Sequence, residues 1–196
     1  MLLKDKLEGY RLILASASPR RRELLGACDL DFVLADKFEC EECYPADLSA
    51  DNVAEYLSQL KSNAYPYPLG EKDILLTADT VVILGDKILG KPHSEGEAIE
   101  MISSLSGATH KVITGVTLRT PLRTISFSAE SLVSFRALEV EEIRYYVEKY
   151  RPLDKAGAYG IQEWIGYTAI ERIEGSFYNV MGLPVQRLYT TLKELL

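Results

Sequence analysis

The sequence predicts a mixed α/β fold, and three observations carry that prediction. Apolar runs rich in β-branched residues alternate with segments whose apolar residues recur at helical spacing. The chain has 196 residues, 47% hydrophobic and 26% charged, values of a globular protein with a substantial core. No internal repeat or low-complexity linker interrupts it. We therefore expect residues 1–196 to form a single mixed α/β unit, for which two lobes around a cleft is one arrangement.

The N-terminal part predicts a strand, a tight turn and a helix, then a second strand and helix. RLILA at 11–15 is typical of a short buried strand, and Ser18 and Pro19 supply an N-cap and a first helical position. DFVLA at 31–35 indicates the second strand, and the acidic stretch 41–52 indicates a loop. The helix after it has an apolar stripe at helical spacing: Val53, Tyr56, Leu57, Leu60 and Ala64.

The middle of the chain contains the strongest strand signal, ILLTADTVVIL at 74–84, followed by a turn at 85–87. Segments 110–118 and 124–135 flank a turn at Pro121 and predict a hairpin. Between the turn and the hairpin, one face of a helix is predicted from Ala98, Ile99, Ile102 and Leu105.

Two more helices are predicted near the C-terminus. Pro152 stops the first, and the second begins near Pro184. The first is marked by Val140, Ile143, Tyr146, Val147 and Tyr150, and the second has Val185, Leu188, Tyr189, Leu192 and Leu195 on its inward face.

Charge and cysteine content limit the partners and the compartment. The net charge of −7 disfavours a broad surface for nucleic acid or anionic membrane, but a local basic pocket for a small anion stays open. Cys28, Cys40 and Cys43 are an odd number and predict no disulfide framework. The uncharged run 12–17 is too short for a signal peptide or membrane span. We expect a cytoplasmic protein.

Three arginines occupy the opening turn of the first predicted helix. Arg20, Arg21 and Arg22 stand where free backbone N–H groups already make a helix end positive, which disfavours cations by about 0.3–1 kcal/mol each. A strand, the turn ASAS and a basic helix start together form a good phosphate cradle. A solvated basic face compensated by Glu23 is the alternative, and both stay open on these residues alone.

Asp79 interrupts an apolar strand, where an unpaired carboxylate costs several kcal/mol. The interpretation we favour is compensation by a divalent cation. The alternative is an exposed strand end at which Asp79 caps a turn with Thr80, which is less favoured because Val81 to Leu84 continue the strand.

Other candidate signals are weak when each is taken alone. Lys61 and Lys91 have the pattern of surface lysines, and the glycines of DKAGAYGIQ at 154–162 permit close backbone approach to a ligand. The loop does not match either GxGxxG or the P-loop pattern. Cys40 and Cys43 lack partners for a zinc site, and His93 and His110 show no hydrolase triad arrangement.

Five blocks taken together resemble the Maf family of nucleoside triphosphate pyrophosphatases. The resemblance implies a mixed sheet with flanking helices in two lobes around a nucleotide cleft, similar to the inosine-triphosphate pyrophosphatase type. It also implies cleavage of a nucleoside triphosphate to monophosphate and pyrophosphate with Mg²⁺ or Mn²⁺. DKAGAYGIQ looks like the version associated with dTTP and UTP rather than 7-methyl-GTP. The blocks are LILASASPRRRELL (12–25), ADTVV (78–82), LGKP (89–92), DKAGAYGIQ (154–162) and GSFYNVMGLPV (175–185).

The resemblance implies the site residues one by one. Its metal-binding acids fall on Asp79 and Glu42, which count as catalytic together with Lys61 and Lys91. Whether Asp79 is a metal ligand or the general base stays open. The residues implied for substrate binding are Ser16, Arg20, Arg21 and Gln162, where Arg21 either binds phosphate or holds the helix end.

The chain departs from the family pattern at two places. Glu41-Glu42-Cys43 stands where the family has an Asp-Glu pair and a small polar residue, so Glu39 and Glu41 compete with Glu42. Glu163-Trp164 follows Gln162 where many relatives have glycine, which affects the mouth of the base pocket.

Two other functions compete with a pyrophosphatase. One is a catalytically weak nucleotide-binding regulator of cell division (septum formation), and the other is a phosphatase that releases orthophosphate. The expected partner is a nucleoside triphosphate, with no nucleic acid and no membrane, and a homodimer stays open.

Overall fold

The computed structural model of the protein describes residues 1–196 and contains a seven-stranded mixed sheet. Its strands are β1 (Arg11–Leu14), β2 (Val33–Leu34), β3 (Asp73–Leu84), β4 (Lys87–Leu89), β5 (Thr109–Arg119), β6 (Thr124–Phe135) and β7 (Ile170–Glu174). The strand order is β2-β1-β3-β5-β6-β7, and β4 pairs with β3. Strand β1 is parallel to β2 and β3, whereas β4 is antiparallel to β3 and β7 to β6. The predicted mixed α/β class is confirmed.

Every helix predicted from apolar spacing is present. The helices are α1 (Leu3–Lys6), α2 (Pro19–Gly26), α3 (Ala50–Ala64), α4 (Glu95–Leu105), α5 (Val140–Tyr150), α6 (Trp164–Ala169), α7 (Phe177–Met181) and α8 (Val185–Leu195), with a 3₁₀ turn at Ala156–Ala158. Helices α1, α6 and α7 and strand β7 were not predicted. Each of these elements is too short for a periodic pattern of apolar residues to be visible. None of the helices has the length and apolar character that a membrane span requires.

Two boundaries differ from the predicted ones. The predicted strand 31–35 shrinks to Val33–Leu34, two exposed residues that pair with Ile13 and Leu14 at the sheet edge. The predicted loop 41–52 is shorter, because α3 already begins at Ala50. In both places the local pattern was ambiguous, and pairing with β1 decided the first of the two boundaries.

Strand β3 lies inside the sheet and is buried along nearly its whole length. Ile74, Leu75 and Leu76 are fully buried, which explains why this strand is continuously apolar instead of alternating with polar residues. A polar group within such a strand needs a partner supplied by the fold.

The chain divides into two compact units, and β3, β5 and β6 contribute residues to both. The first unit also contains β1, β2, α1, α2, α3 and α8, and the second also contains β4, α4 to α7 and β7. The first consists of Met1–Asp79, Thr114–Ala129 and Gly182–Leu196, and the second of Thr80–Ile113 and Glu130–Met181.

Candidate active site

The turn between β1 and α2 is held in place by the side chain of Arg21. Its Nε donates to the carbonyl oxygen of Gly182 at 2.8 Å, and its Nη1 donates to the carbonyl oxygen of Ala78 at 2.9 Å. Nη1 also lies 3.2 Å from Oγ of Ser16. Burial lowers the pKa of Arg21, and the negative charge of Asp79 opposes that shift. These contacts favour the second role left open by the sequence, in which Arg21 holds the helix end.

The helix start itself follows the predicted pattern with one difference. Ser18 is extended, with φ −68° and ψ 117°, and Pro19 begins α2, but the Ser18 side chain makes no capping hydrogen bond. Instead, the N–H of Ser18 donates to Oγ of Ser16 at 3.3 Å. Because Ser16 Oγ accepts from Ser18 and Arg21, its own O–H is the group left to donate to a ligand. Arg20 lies partly exposed in the same first turn.

Lys61, Asp79 and Glu42 form one ionic cluster in the first unit. Nζ of Lys61 lies 2.5 Å from Oδ1 of Asp79 and 3.1 Å from Oε1 of Glu42. The side chains of Lys61 and Asp79 are 17% and 12% exposed, whereas that of Glu42 is 47% exposed. Helix α3 supplies the lysine, β3 the aspartate and the loop before α3 the glutamate.

The cluster explains how a carboxylate is tolerated inside β3. Asp79 is 8% exposed and lies within the strand, so the alternative of an exposed, turn-capping Asp79 is wrong. The sequence suggested a divalent cation to compensate its burial, whereas in the structure the ammonium of Lys61 provides an opposite charge. Among the three competing loop acids, Glu42 is the one that contacts Lys61.

The carboxylates of Asp79 and Glu42 are also the groups that could hold a metal ion. No group of three or more His, Cys, Asp or Glu side chains is arranged as a metal site. Mg²⁺ in phosphate-handling sites uses one or two carboxylates and takes its other ligands from phosphate oxygens and water. Two carboxylates that converge on one ammonium therefore fit a divalent cation that arrives with a phosphate ligand, and do not fit a closed structural site.

In the second unit, the loop 154–163 is tied to the segment after β4. The N–H of Gly157 donates to the carbonyl oxygen of Gly90 at 3.1 Å, next to the exposed Lys91. Gly157 has φ +68°, and a Cβ there would come within 3.0 Å of Val82. Ala158 follows with φ +59°, an unusual value for alanine. Glycine is thus required at 157 by both backbone conformation and space.

Gln162 near the end of this loop has an unsatisfied buried atom. Its Oε1 is buried and accepts no hydrogen bond from the chain. Buried side-chain oxygens are rarely left without a donor, so this oxygen keeps its capacity to accept a hydrogen bond. Gln162 is thus equipped to accept a hydrogen bond from a bound molecule.

Sequence reasoning missed an ionic network in the same loop. Nζ of Lys155 lies 2.7 Å from Oδ1 of Asp154 and 3.1 Å from Oε1 of Glu163. The other oxygen of Glu163 accepts a short hydrogen bond from the hydroxyl of Tyr146 in α5. The opposite charges at the two ends of the loop were the available signal, but Tyr146 was assigned only to the apolar face of its helix.

The predicted site residues are thus distributed over both units. The first unit contains Ser16, Arg20, Arg21, Glu42, Lys61 and Asp79, of which Ser16 contacts Arg21 and Lys61 contacts both acids. The second unit contains Lys91 and Gln162.

Fold and site together define an α/β protein with a basic strand-turn-helix and a lysine–carboxylate cluster. The Staphylococcus aureus Ham1 protein has a similar fold, with a TM-score of 0.56 at 15% identity, covering 95% of this chain and 100% of that one. The chain belongs to the Maf family, since the profile of Maf-like proteins matches residues 11–195. This confirms the resemblance seen in the five sequence blocks.

Two close relatives bear the same name. The dTTP/UTP pyrophosphatase of Bacteroides thetaiotaomicron is 52% identical over 189 residues, covering 96% of this chain and 98% of the relative. The dTTP/UTP pyrophosphatase of Porphyromonas gingivalis is 52% identical over 192 residues, covering 97% of this chain and 96% of the relative.

Proposed function

We propose that the protein hydrolyses nucleoside triphosphates, chiefly dTTP and UTP, to the monophosphate and pyrophosphate. The observation that carries this proposal is the Lys61–Asp79–Glu42 cluster, found in a chain that is 52% identical to dTTP/UTP pyrophosphatases over nearly its full length. The names of these relatives support the hydrolase class and the substrates, and the cluster supplies residue types that this chemistry uses.

The phosphates are bound by groups whose positive charge or free protons suit an anion. The O–H of Ser16, the guanidinium of Arg20 and the backbone N–H groups at the start of α2 donate to phosphate oxygens. Lys61 and Lys91 add positive charge that stabilises the oxygens as negative charge grows on them in the transition state. Arg21 keeps Ser16 and the helix start in place for this binding.

Asp79 and Glu42 would hold a divalent cation, Mg²⁺ or Mn²⁺. When bound, such an ion neutralises phosphate charge and makes a water molecule easier to deprotonate. Two acids would suffice to hold such an ion, since Mg²⁺ in phosphate-handling sites commonly takes its other ligands from the substrate and from water.

In the other role that the sequence left open, Asp79 would instead accept the proton of the attacking water. The water oxygen forms a bond to the α-phosphorus, the bond from this phosphorus to the bridging oxygen breaks, and pyrophosphate leaves. Oδ1 of Asp79 lies 2.5 Å from the ammonium of Lys61, which holds the carboxylate in place within the cluster.

Gln162 recognises the base. Uracil and thymine present an N3–H donor between two carbonyl oxygens, which matches the unpartnered Oε1 of Gln162 and its amide protons. Cytosine presents an acceptor at N3, so it would leave that oxygen unsatisfied.

We place the reaction in the cytoplasm, in agreement with the odd number of cysteines, all of which are free.

Product analysis tests the proposal directly. The purified protein is incubated with dTTP, UTP, CTP, ATP, GTP or 7-methyl-GTP, with and without Mg²⁺, and pyrophosphate and orthophosphate are both measured. We expect metal-dependent pyrophosphate from dTTP and UTP, lost in Asp79→Asn. The matched control is Asp86→Asn, which changes an exposed turn aspartate and should keep wild-type activity.

Each alternative function has a distinct result in that experiment. Orthophosphate without pyrophosphate identifies a phosphatase, and tight nucleotide binding without turnover identifies a regulator. Turnover of 7-methyl-GTP alone retains the chemistry but contradicts the assignment of the 154–162 loop.

A further inference from the structure

A buried tyrosine links the helix α5 to the loop that carries Gln162. Tyr146 is fully buried, and its hydroxyl accepts from the N–H of Gly160 at 3.0 Å. The same hydroxyl donates its proton to Oε2 of Glu163. Gly160 and Glu163 lie on either side of Gln162 in the sequence. The hydroxyl of Tyr146 therefore holds the backbone before Gln162 and the side chain of the residue after it.

Lys155 holds the second oxygen of Glu163. Its Nζ lies 3.1 Å from Oε1 of Glu163, and the side chains of the two residues are 9% and 19% exposed. Burying two charges is costly even when they are paired, and removing either partner leaves the other charge uncompensated. The pair closes the loop at residues 155 and 163 and orients the Glu163 carboxylate toward Tyr146.

The network is packed directly against the loop backbone. A Cβ at Gly160 would come 2.9 Å from Cδ of Glu163 and 3.1 Å from Cε of Lys155. The N–H of Glu163 also donates to the carbonyl oxygen of Gly160 at 3.0 Å, closing a tight turn around Gln162. The backbone at Gln162 thus has little freedom, which limits the positions that its unpartnered Oε1 can reach.

We propose that Tyr146, Lys155 and Glu163 are positioning residues that aim Gln162 at the base, and thereby set the preference for bases with an N3–H donor over cytosine. The inference rests on the proposed function and extends its specificity to residues that contact the loop of Gln162. A hydrogen bond discriminates between donors and acceptors only if its partner is held in place, because a mobile amide can turn to satisfy either.

Two conservative variants test this network. Tyr146→Phe removes one hydroxyl, and Glu163→Gln removes the charge while keeping the shape. For each, kcat and KM are measured with UTP and CTP, together with the midpoint of thermal unfolding. Tyr145→Phe and Glu171→Gln, at exposed positions of α5 and β7, are the matched controls.

We expect kcat/KM for UTP to fall about 5- to 30-fold in each network variant, mainly through KM, while that for CTP changes little. The UTP/CTP ratio falls by the same factor, and the controls keep the wild-type ratio. In Gln162→Ala the ratio is already reduced, so adding Tyr146→Phe to it should lower the ratio no further.

A network that only stabilises the fold would lower both kcat/KM values equally and leave their ratio unchanged. If the wild type prefers UTP and both variants keep the wild-type UTP/CTP ratio, the inference is overturned. The proposed function then stays intact. A wild type that does not hydrolyse UTP in preference to CTP overturns the proposed base preference and the inference together.

Discussion

The ammonium of Lys61 lies 2.5 Å from Oδ1 of Asp79, which joins the last turn of α3 to the middle of β3. The same ammonium reaches Glu42 in the loop before α3. One lysine therefore neutralises a carboxylate inside a buried strand and brings a second acid beside it. Stability and activity should consequently depend on the same three side chains, and can be separated by substitution.

Replacing Lys61 by methionine should reduce both activity and stability. The variant keeps the apolar stem and removes the ammonium, so we expect kcat/KM to fall about 10²- to 10³-fold. Asp79 loses its partner, which should lower the free energy of unfolding by about 1–3 kcal/mol in urea denaturation. Lys87→Met, at an exposed position of β4, is the control. Adding Asp79→Asn should recover stability without activity, and a double variant less stable than Lys61→Met would contradict this account.

Arg21 should not tolerate replacement by lysine. A single ammonium lacks the planar arrangement that lets Arg21 reach the carbonyl oxygens of Gly182 and Ala78 together. We expect Arg21→Lys to lower the free energy of unfolding by about 1–3 kcal/mol. Arg22→Lys, exposed in the same turn of α2, serves as the control. Equal stability of the two variants would show that these backbone contacts contribute little.

Gly157→Ala should be more destabilising than Gly85→Ala. Both glycines have positive φ, +68° and +60°, so both variants suffer backbone strain of about 1 kcal/mol. A Cβ at 85 meets nothing within 4 Å, whereas one at 157 meets Val82 at 3.0 Å. Denaturation of the two variants separates strain from overlap. Val82→Ala in the Gly157→Ala background should recover part of the difference, and its failure to do so would exclude the overlap.

The buried His110 predicts a dependence of stability on pH. Burial lowers the pKa of His110 from 6.5 to about 4, while Nε2 shares a hydrogen bond with Tyr159 at 2.7 Å. Between these values the unfolded chain binds the proton and the folded one does not, so stability rises with pH. The contribution of His110 to the free energy of unfolding should thus be fully present above pH 6.5. It should fall as the pH drops toward 4, by about 2–3 kcal/mol in all.

The measurement for His110 is urea denaturation of wild type and His110→Gln at several pH values between 4 and 7.5. Other titrating groups cancel in the difference between the two proteins. The free energy of unfolding of the wild type, relative to that of His110→Gln, should decrease steadily as the pH falls. A difference that stays constant over this range would show that His110 has the same pKa in the folded and unfolded chain.

Much of the fold was predictable because its signals are local. The apolar run 74–84 and the helical stripes of α3, α4, α5 and α8 are periodicities within single segments, which burial of one face imposes on any chain. The elements that were missed, α1, α6, α7 and β7, span only 4 to 6 residues each, too few for a periodicity to be visible. The two residues of β2 are likewise defined by pairing with β1.

The sequence by itself determined most of the strands, the main helices and the positions that conflict with an ordinary fold, namely the arginines at the start of α2 and the carboxylate of Asp79. These were visible because a charge in an unfavourable local setting is evident from its neighbours in the chain. Only the tertiary structure decided which partner resolves each conflict. Lys61 had the pattern of a surface lysine, and Tyr146 that of a core residue, until packing brought them to Asp79 and Glu163. Contacts between segments that are distant in the sequence depend on how helices and strands pack. No local sequence pattern specifies which of these segments come into contact.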